Sequence, residues 1–187
     1  MLNNIVGLLD AGIPASTNSY ESISTVTVGS GGQATISFTS IPGTYKHLQI
    51  RAIARSAASN DYNVNIKLNS DTGSNYAYHR IYGTGATAAA QAGSSLTYAN
   101  IAAITTLNSE TASAFGAAII DILDYANTSK YKTVRSLNGR DINGGGTINL
   151  HSGLWQSTSA ITRIDFTGAS ADSFAQYSSF ALYGIKG

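Results

Sequence analysis

Short runs of alternating apolar and polar residues, repeated along most of the chain, are the feature that most constrains what this sequence can fold into. In Gln33-Ala34-Thr35-Ile36-Ser37-Phe38-Thr39, the side chains of Ala34, Ile36 and Phe38 point one way and their polar neighbours the other. Asn63-Val64-Asn65-Ile66-Lys67-Leu68-Asn69 and Lys46-His47-Leu48-Gln49-Ile50-Arg51-Ala52 repeat the pattern, and near the end Ile164 and Phe166 alternate with Arg163, Asp165 and Thr167. A period of two puts successive side chains on opposite faces of an extended chain, so each run reads as a half-buried strand. Turn-forming residues separate the runs. Gly29-Ser30-Gly31-Gly32, between residues 24–28 and 34–38, predicts a hairpin. Ile41-Pro42-Gly43-Thr44 ends the next strand, and Asp71-Thr72-Gly73-Ser74-Asn75, Asn138-Gly139 and Asn143-Gly144-Gly145-Gly146 predict further turns or loops. Many short strands divided at such intervals predict an all-β, antiparallel β-sandwich, with a jelly roll the preferred form.

Two stretches depart from the pattern. Residues 86–92 are small and featureless, which suits a long loop or a turn of helix. Ala117-Ala118-Ile119-Ile120-Asp121-Ile122-Leu123-Asp124 is apolar on both faces. It reads as a central strand covered on both sides, with a short helix as the alternative.

Residues 1–18 stand apart as an N-terminal arm, leaving 19–187 as a single sandwich domain. Leu2, Ile5, Val6, Leu8 and Leu9 make the arm apolar, and Asp10-Ala11-Gly12-Ile13-Pro14 with a polar run cuts it off from the first strand. Two readings stay open: the segment covers the base of its own sandwich, or it docks on a neighbouring subunit. The second makes those five apolar residues partner contacts.

Composition narrows the function. Charged residues are 11% of the 187, against about 25% in ordinary soluble proteins, and the net charge is +1. Hydrophobic residues at 43% supply a core, so low charge does not imply disorder here. No basic stripe is available for nucleic acid or an anionic membrane. The apolar runs are too short to span a bilayer, and the N-terminus lacks the basic region of a signal peptide, so secretion by the general route is not expected. There is no cysteine, hence no disulfide or thiolate metal site.

Catalytic chemistry finds little support. His47, His79 and His151 have no second ligand at metal spacing. Gly83-Thr84-Gly85 lacks the third glycine and the helix of a dinucleotide fingerprint. The Asp71 loop faintly resembles a calcium loop but has one carboxylate and no closing Glu, and Asx turns account for it equally well. Asp121 and Asp124 would face opposite sides of a strand, which is not the facing pair a glycosidase needs. The chain reads as a non-enzyme without cofactor, metal or catalytic residues. Tyrosine is the abundant aromatic, with 11 residues, and Tyr62, Tyr76, Tyr78 and Tyr82 cluster in sequence around the Asp71 loop. Tyr62, Tyr76 and Tyr78 are candidate ligand contacts for a glycan or protein, although edge tyrosines with buried rings give the same pattern.

Three segments carry a resemblance. Ser19-Tyr20-Glu21-Ser22-Ile23 leading to Thr25-Val26-Thr27-Val28-Gly29, then Ile41-Pro42-Gly43-Thr44-Tyr45-Lys46-His47-Leu48-Gln49-Ile50-Arg51, and finally Ser178-Ser179-Phe180-Ala181-Leu182-Tyr183-Gly184-Ile185-Lys186-Gly187 resemble a family of small tailed-bacteriophage virion proteins. The resemblance implies a capsid decoration (cement) protein or a tail or fibre component. A decoration protein of that kind is a homotrimer on the capsid surface, assembled in the host cytoplasm, with the major capsid protein as partner. A tail or fibre protein would bind a carbohydrate or receptor instead. The family brings no catalytic residues.

Overall fold

A computed structural model describes residues 19–59 and 63–187. Among these residues there are thirteen strands and no helix. They are β1 (Tyr20–Thr27), β2 (Thr35–Phe38), β3 (His47–Arg55), β4 (Asn63–Leu68), β5 (Tyr76–Gly83), β6 (Ala88–Leu96), β7 (Ala99–Ala103), β8 (Thr105–Thr106), β9 (Gly116–Leu123), β10 (Lys132–Asp141), β11 (Gly146–Trp155), β12 (Ile164–Gly168) and β13 (Ser179–Ile185). A nine-stranded sheet runs β1-β13-β3-β9-β10-β11-β5-β6, with the short β8 parallel to the end of β3. A four-stranded sheet runs β2-β12-β4-β7. All pairings except β3–β8 are antiparallel, so the fold is a β-sandwich with one large and one small sheet. This nine-and-four division differs from the eight strands in two Greek keys that define a jelly roll.

The alternating runs become strands whose apolar side chains meet between the sheets. Ile36 and Phe38 of β2, Val64, Ile66 and Leu68 of β4, and Ile164 and Phe166 of β12 are buried on the small sheet. They face Leu48 and Ile50 of β3, Ile120 and Ile122 of β9, and Phe180 and Leu182 of β13. The Phe180 ring joins the layers, 5.1 Å from Phe166 and 5.0 Å from Phe174. Such edge-on and tilted aromatic contacts add to the stabilisation from burial itself.

The strands nearest the two ends of the described chain form one unit with β3. β1, β13 and β3 are neighbours in the large sheet, though β1 and β13 lie at opposite ends of the chain. The Tyr45 ring lies against Gly184, where an added Cβ would be 2.3 Å from the ring. The Tyr45 hydroxyl donates to Glu21 at 2.9 Å, and Glu21 pairs with Lys186.

Several local expectations are corrected. Gly29–Gly32 is no hairpin turn: β1 pairs with β13 and β2 with β12, so this stretch carries the chain from one sheet to the other. The Asp71 loop likewise crosses between sheets, from β4 to β5. Asn138 and Gly139 lie inside β10, where the Asn138 amide donates to the Ile101 carbonyl at 2.7 Å and to the Ser136 hydroxyl at 2.8 Å. The Asn143–Gly146 turn holds, joining β10 to β11 with Asn143 and Gly144 at positive φ. Residues 88–96 form strand β6 rather than a loop or helix, because pairing with β5 satisfies a backbone whose side chains state no preference.

Candidate interaction surface

The stretch from 117 to 124 locates the most unusual surface of the molecule. As β9 it is central, between β3 and β10, but it is covered on one side only. Ala118, Ile120 and Ile122 enter the core, while Ile119 and Leu123 remain exposed on the outer face. Double coverage, the sequence expectation, is not what the described residues provide: the small sheet packs on one side and no element among them lies on the other.

The next strands invert the usual polarity. On β10 and β11 the inward side chains include Ser136, Asn138, Asn149 and His151, all buried, while Leu137, Ile148 and Leu150 point outward. The inward polar groups have work to do. Asn138 binds the Ile101 carbonyl, and the His151 ring Nδ1 lies 3.2 Å from the Asn100 carbonyl. Both carbonyls belong to β7, which among the described residues has a strand neighbour on one side only, so side chains from the opposing sheet satisfy backbone acceptors there. A carbonyl can only accept, so Nδ1 carries the proton, and Nε2 is buried with no hydrogen-bond partner among the described residues. Burial, reinforced by nearby Arg80, holds the His151 pKa down at about 4.

Register aligns the outward side chains into a row. Ile119 faces Leu137, Leu137 faces Leu150, Leu150 faces Ile81, and Ile81 faces Ala90. Five adjacent strands at the usual spacing make this row about 19 Å long. The neighbouring row holds Ile53, Ala117, Gly139, Ile148 and Gly83. Ala117 and Gly139 leave shallow floor between the two isoleucines. Ile53, Ile81, Ile119, Leu137, Ile148 and Leu150 are between 44% and 63% exposed, which for large aliphatic side chains is solvent contact without a covering layer. Together they amount to several hundred Å², on the order of the largest apolar patch a monomer tolerates. The opposite border is polar, with Asp121 facing Arg135 and Gln49 donating to Asp121 at 2.9 Å. An apolar centre with a polar border is the anatomy of a protein–protein contact.

The expected site residues are dispersed. Leu2, Ile5, Val6, Leu8, Leu9 and Tyr62 lie outside the described residues. Tyr76 is fully buried: its ring stacks on Trp155 at 6.3 Å, its hydroxyl accepts from the Leu68 amide at 3.0 Å, and burial raises its pKa to about 12. With no free ring face it cannot line a groove, which corrects its reading as a ligand contact. Tyr78 is half-buried and stacks on His151 at 6.0 Å. Tyr82 lies at the far end of β5 beneath the Arg80 guanidinium, 4.8 Å from its ring. The tyrosines therefore do not converge on one site.

The Asp71 loop is an internal clamp. The Asp71 carboxylate accepts from the Trp155 indole at 2.7 Å, from the Asn75 amide at 3.0 Å and from the Gly73 backbone at 2.8 Å. These bonds, the indole's foremost, hold its pKa below the usual carboxylate range. Among the described residues no three His, Asp or Glu side chains converge as a metal site. His47, His79 and His151 sit on three different strands, β3, β5 and β11.

No protein family and no curated protein matches this chain. A solved structure of a protein of unknown function from Shewanella oneidensis MR-1 is similar to it at 11% identity, over 91% of this chain and 77% of that one, with a TM-score of 0.25.

Proposed function

We propose that the chain is a structural protein of a tailed-bacteriophage particle, a capsid decoration protein that binds the major capsid protein and acts by binding rather than catalysis. The observation that carries this reading is the outer face of the large sheet. Its centre is broad, shallow and aliphatic, with Arg51, Asp121 and Arg135 at its borders, which suits a flat protein surface better than a small polar ligand. A shell of repeated subunits offers such a surface many times over. A protein that binds assembled subunits and not separated ones stabilises the shell by mass action. The resemblance of the β1–β13–β3 unit to virion proteins supports the same role, and the apolar residues of the arm would add a second contact.

The test is binding of the purified protein to undecorated capsids. Saturable binding at a fixed ratio, with a rise in shell melting temperature, is the expected result. Leu137→Asp should abolish it while leaving the domain folded, since substitution at an exposed position changes stability by about 0.5 kcal/mol or less. Deleting residues 1–14 should likewise leave the domain folded and remove shell binding. Binding that survives Leu137→Asp would refute the role of the face, and binding that survives the deletion would refute that of the arm. Failure of the parent chain to bind would refute the shell role and make a glycan screen the next step.

A further inference from the structure

Among the described residues the large sheet ends at two edge strands, β1 and β6, and they are built differently. β1 carries a register shift between Ser22 and Ser24 and an ion pair from Glu21 to Lys186. Bulges and charges are the devices that keep an edge strand from pairing with another chain. β6 has no such charge. Residues 86–96 contain no charged residue and no proline. Its register with β5 runs unbroken from Ala88 to Gly93, and its irregularity is confined to the far end, between Gly93 and Leu96. The small sheet ends at β7, so β6 overhangs the sandwich with both faces exposed along Ala88–Ala92. Alternate residues of such an edge direct their N–H and C=O groups away from β5, where no strand among the described residues meets them.

We propose that β6 is a self-association edge: two copies of the chain pair β6 to β6, antiparallel across a two-fold axis, joining their large sheets into one. Charge selects a second copy as the occupant. Near a two-fold axis each residue meets its own counterpart, so any charge there would face a like charge. The alanines of β6 meet that condition, and the Arg80 guanidinium of β5 is held by Gln91 on the face opposite Ala90, whereas the β1 edge, with Glu21 and Lys186, is a poorer match to itself. The short side chains also let two backbones approach without steric conflict. Pairing has a consequence for the outer face as well. The row from Ile119 to Ile81 ends at Ala90, so a β6–β6 junction sets the two apolar rows end to end on one surface. This arrangement makes an even-numbered assembly, where the resemblance implies a trimer.

The experiment uses the full chain and is independent of capsid binding. Sedimentation should give a dimer, twice 19.4 kDa. The absence of native cysteine makes single-cysteine scanning clean. In an antiparallel self-pair one position faces itself with Cα atoms about 4.5–5.5 Å apart, within disulfide reach. Oxidation of variants at positions 88–93 should therefore cross-link efficiently at one position and fall away on either side, while Thr25→Cys on β1 should not cross-link. Ala90→Lys should yield a folded monomer, checked by Trp155 fluorescence, and Ala90→Ser should remain a dimer. A monomeric or trimeric parent chain, a dimer that survives Ala90→Lys, or equal cross-linking at β1 and β6 would overturn the proposal.

Discussion

Lowering the pH from 7 to 5 should cost this fold about 2 kcal/mol through one side chain, His151. The ring is buried, Nδ1–H is committed to the Asn100 carbonyl, and Nε2 has no partner. A second proton would be buried away from water and beside Arg80, so the folded-state pKa falls to about 4 from the ordinary value of 6.5. Because the unfolded chain takes up the proton first, the stability contributed by neutral His151 is complete above pH 6.5. It is lost as pH falls towards 4. The total is about 3 kcal/mol, of which about 2 is spent by pH 5. The carboxylates held below their ordinary range, Asp71, Asp124 and Asp165, act at lower pH and leave this window to histidine. Urea unfolding followed by Trp155, the single tryptophan, reports the change directly. With a urea slope of about 2 kcal/mol per molar, the midpoint should drop by about 1 M between pH 7 and pH 5. His151→Gln keeps an amide donor for the Asn100 carbonyl and removes the titration. It should lower stability at pH 7 and flatten the pH dependence. A midpoint that does not move between pH 7 and 5, or a His151→Gln variant with the parent's slope, would refute the assignment.

Two further substitutions test interior polar and packing arrangements. Lys132 is fully buried, with its ammonium donating to the Asn127, Lys130 and Thr158 carbonyls, and burial lowers its pKa. Lys132→Met should cost about 2–3 kcal/mol in urea unfolding by leaving buried acceptors unpaired. Gly184→Ala would push the Tyr45 ring off β13 and break its bond to Glu21, so it should cost about 1–3 kcal/mol and lower the thermal midpoint.

Strands that turn their apolar residues into the core were legible in the sequence, because alternation there reports which side chains are apolar. β2, β3, β4 and β12 bury the apolar side chains that the pattern assigns to the core, except that Ala34 precedes β2 and is exposed. The same pattern is silent on which face is inside, and β10 and β11 show the consequence. Asn138, Asn149 and His151 are buried while Leu137 and Leu150 face out, and β7 takes hydrogen bonds from Asn138 and His151 that only polar side chains supply. Asn138-Gly139 carries turn chemistry, but its strand context overrides it. Gly139 permits a close approach to the Thr147 carbonyl, 2.7 Å from where a Cβ would sit. Gly29–Gly32 could not be recognised as a sheet-to-sheet crossing because pairing partners far away in sequence decide it. The candidate face had one sequence signal, the two-sided apolarity of 117–123. Its extension to Ile148 and Ile81 depends on register, which only the fold supplies.

The place of β13 governs the order in which the chain can be completed. It lies between β1 and β3, so the two earliest strands of the large sheet have no direct ladder to each other. Until Ser179–Ile185 has been synthesised, β3 keeps an open edge, β1 has no partner, and the core lacks Phe180 and Leu182. The hairpins β9–β10–β11 and β5–β6 can form as they emerge, but the sandwich closes only when the last strand inserts. Such long-range closure slows folding and leaves unpaired edges exposed during synthesis. Truncation within β13 should therefore trap an open, association-prone sheet rather than a slightly smaller domain.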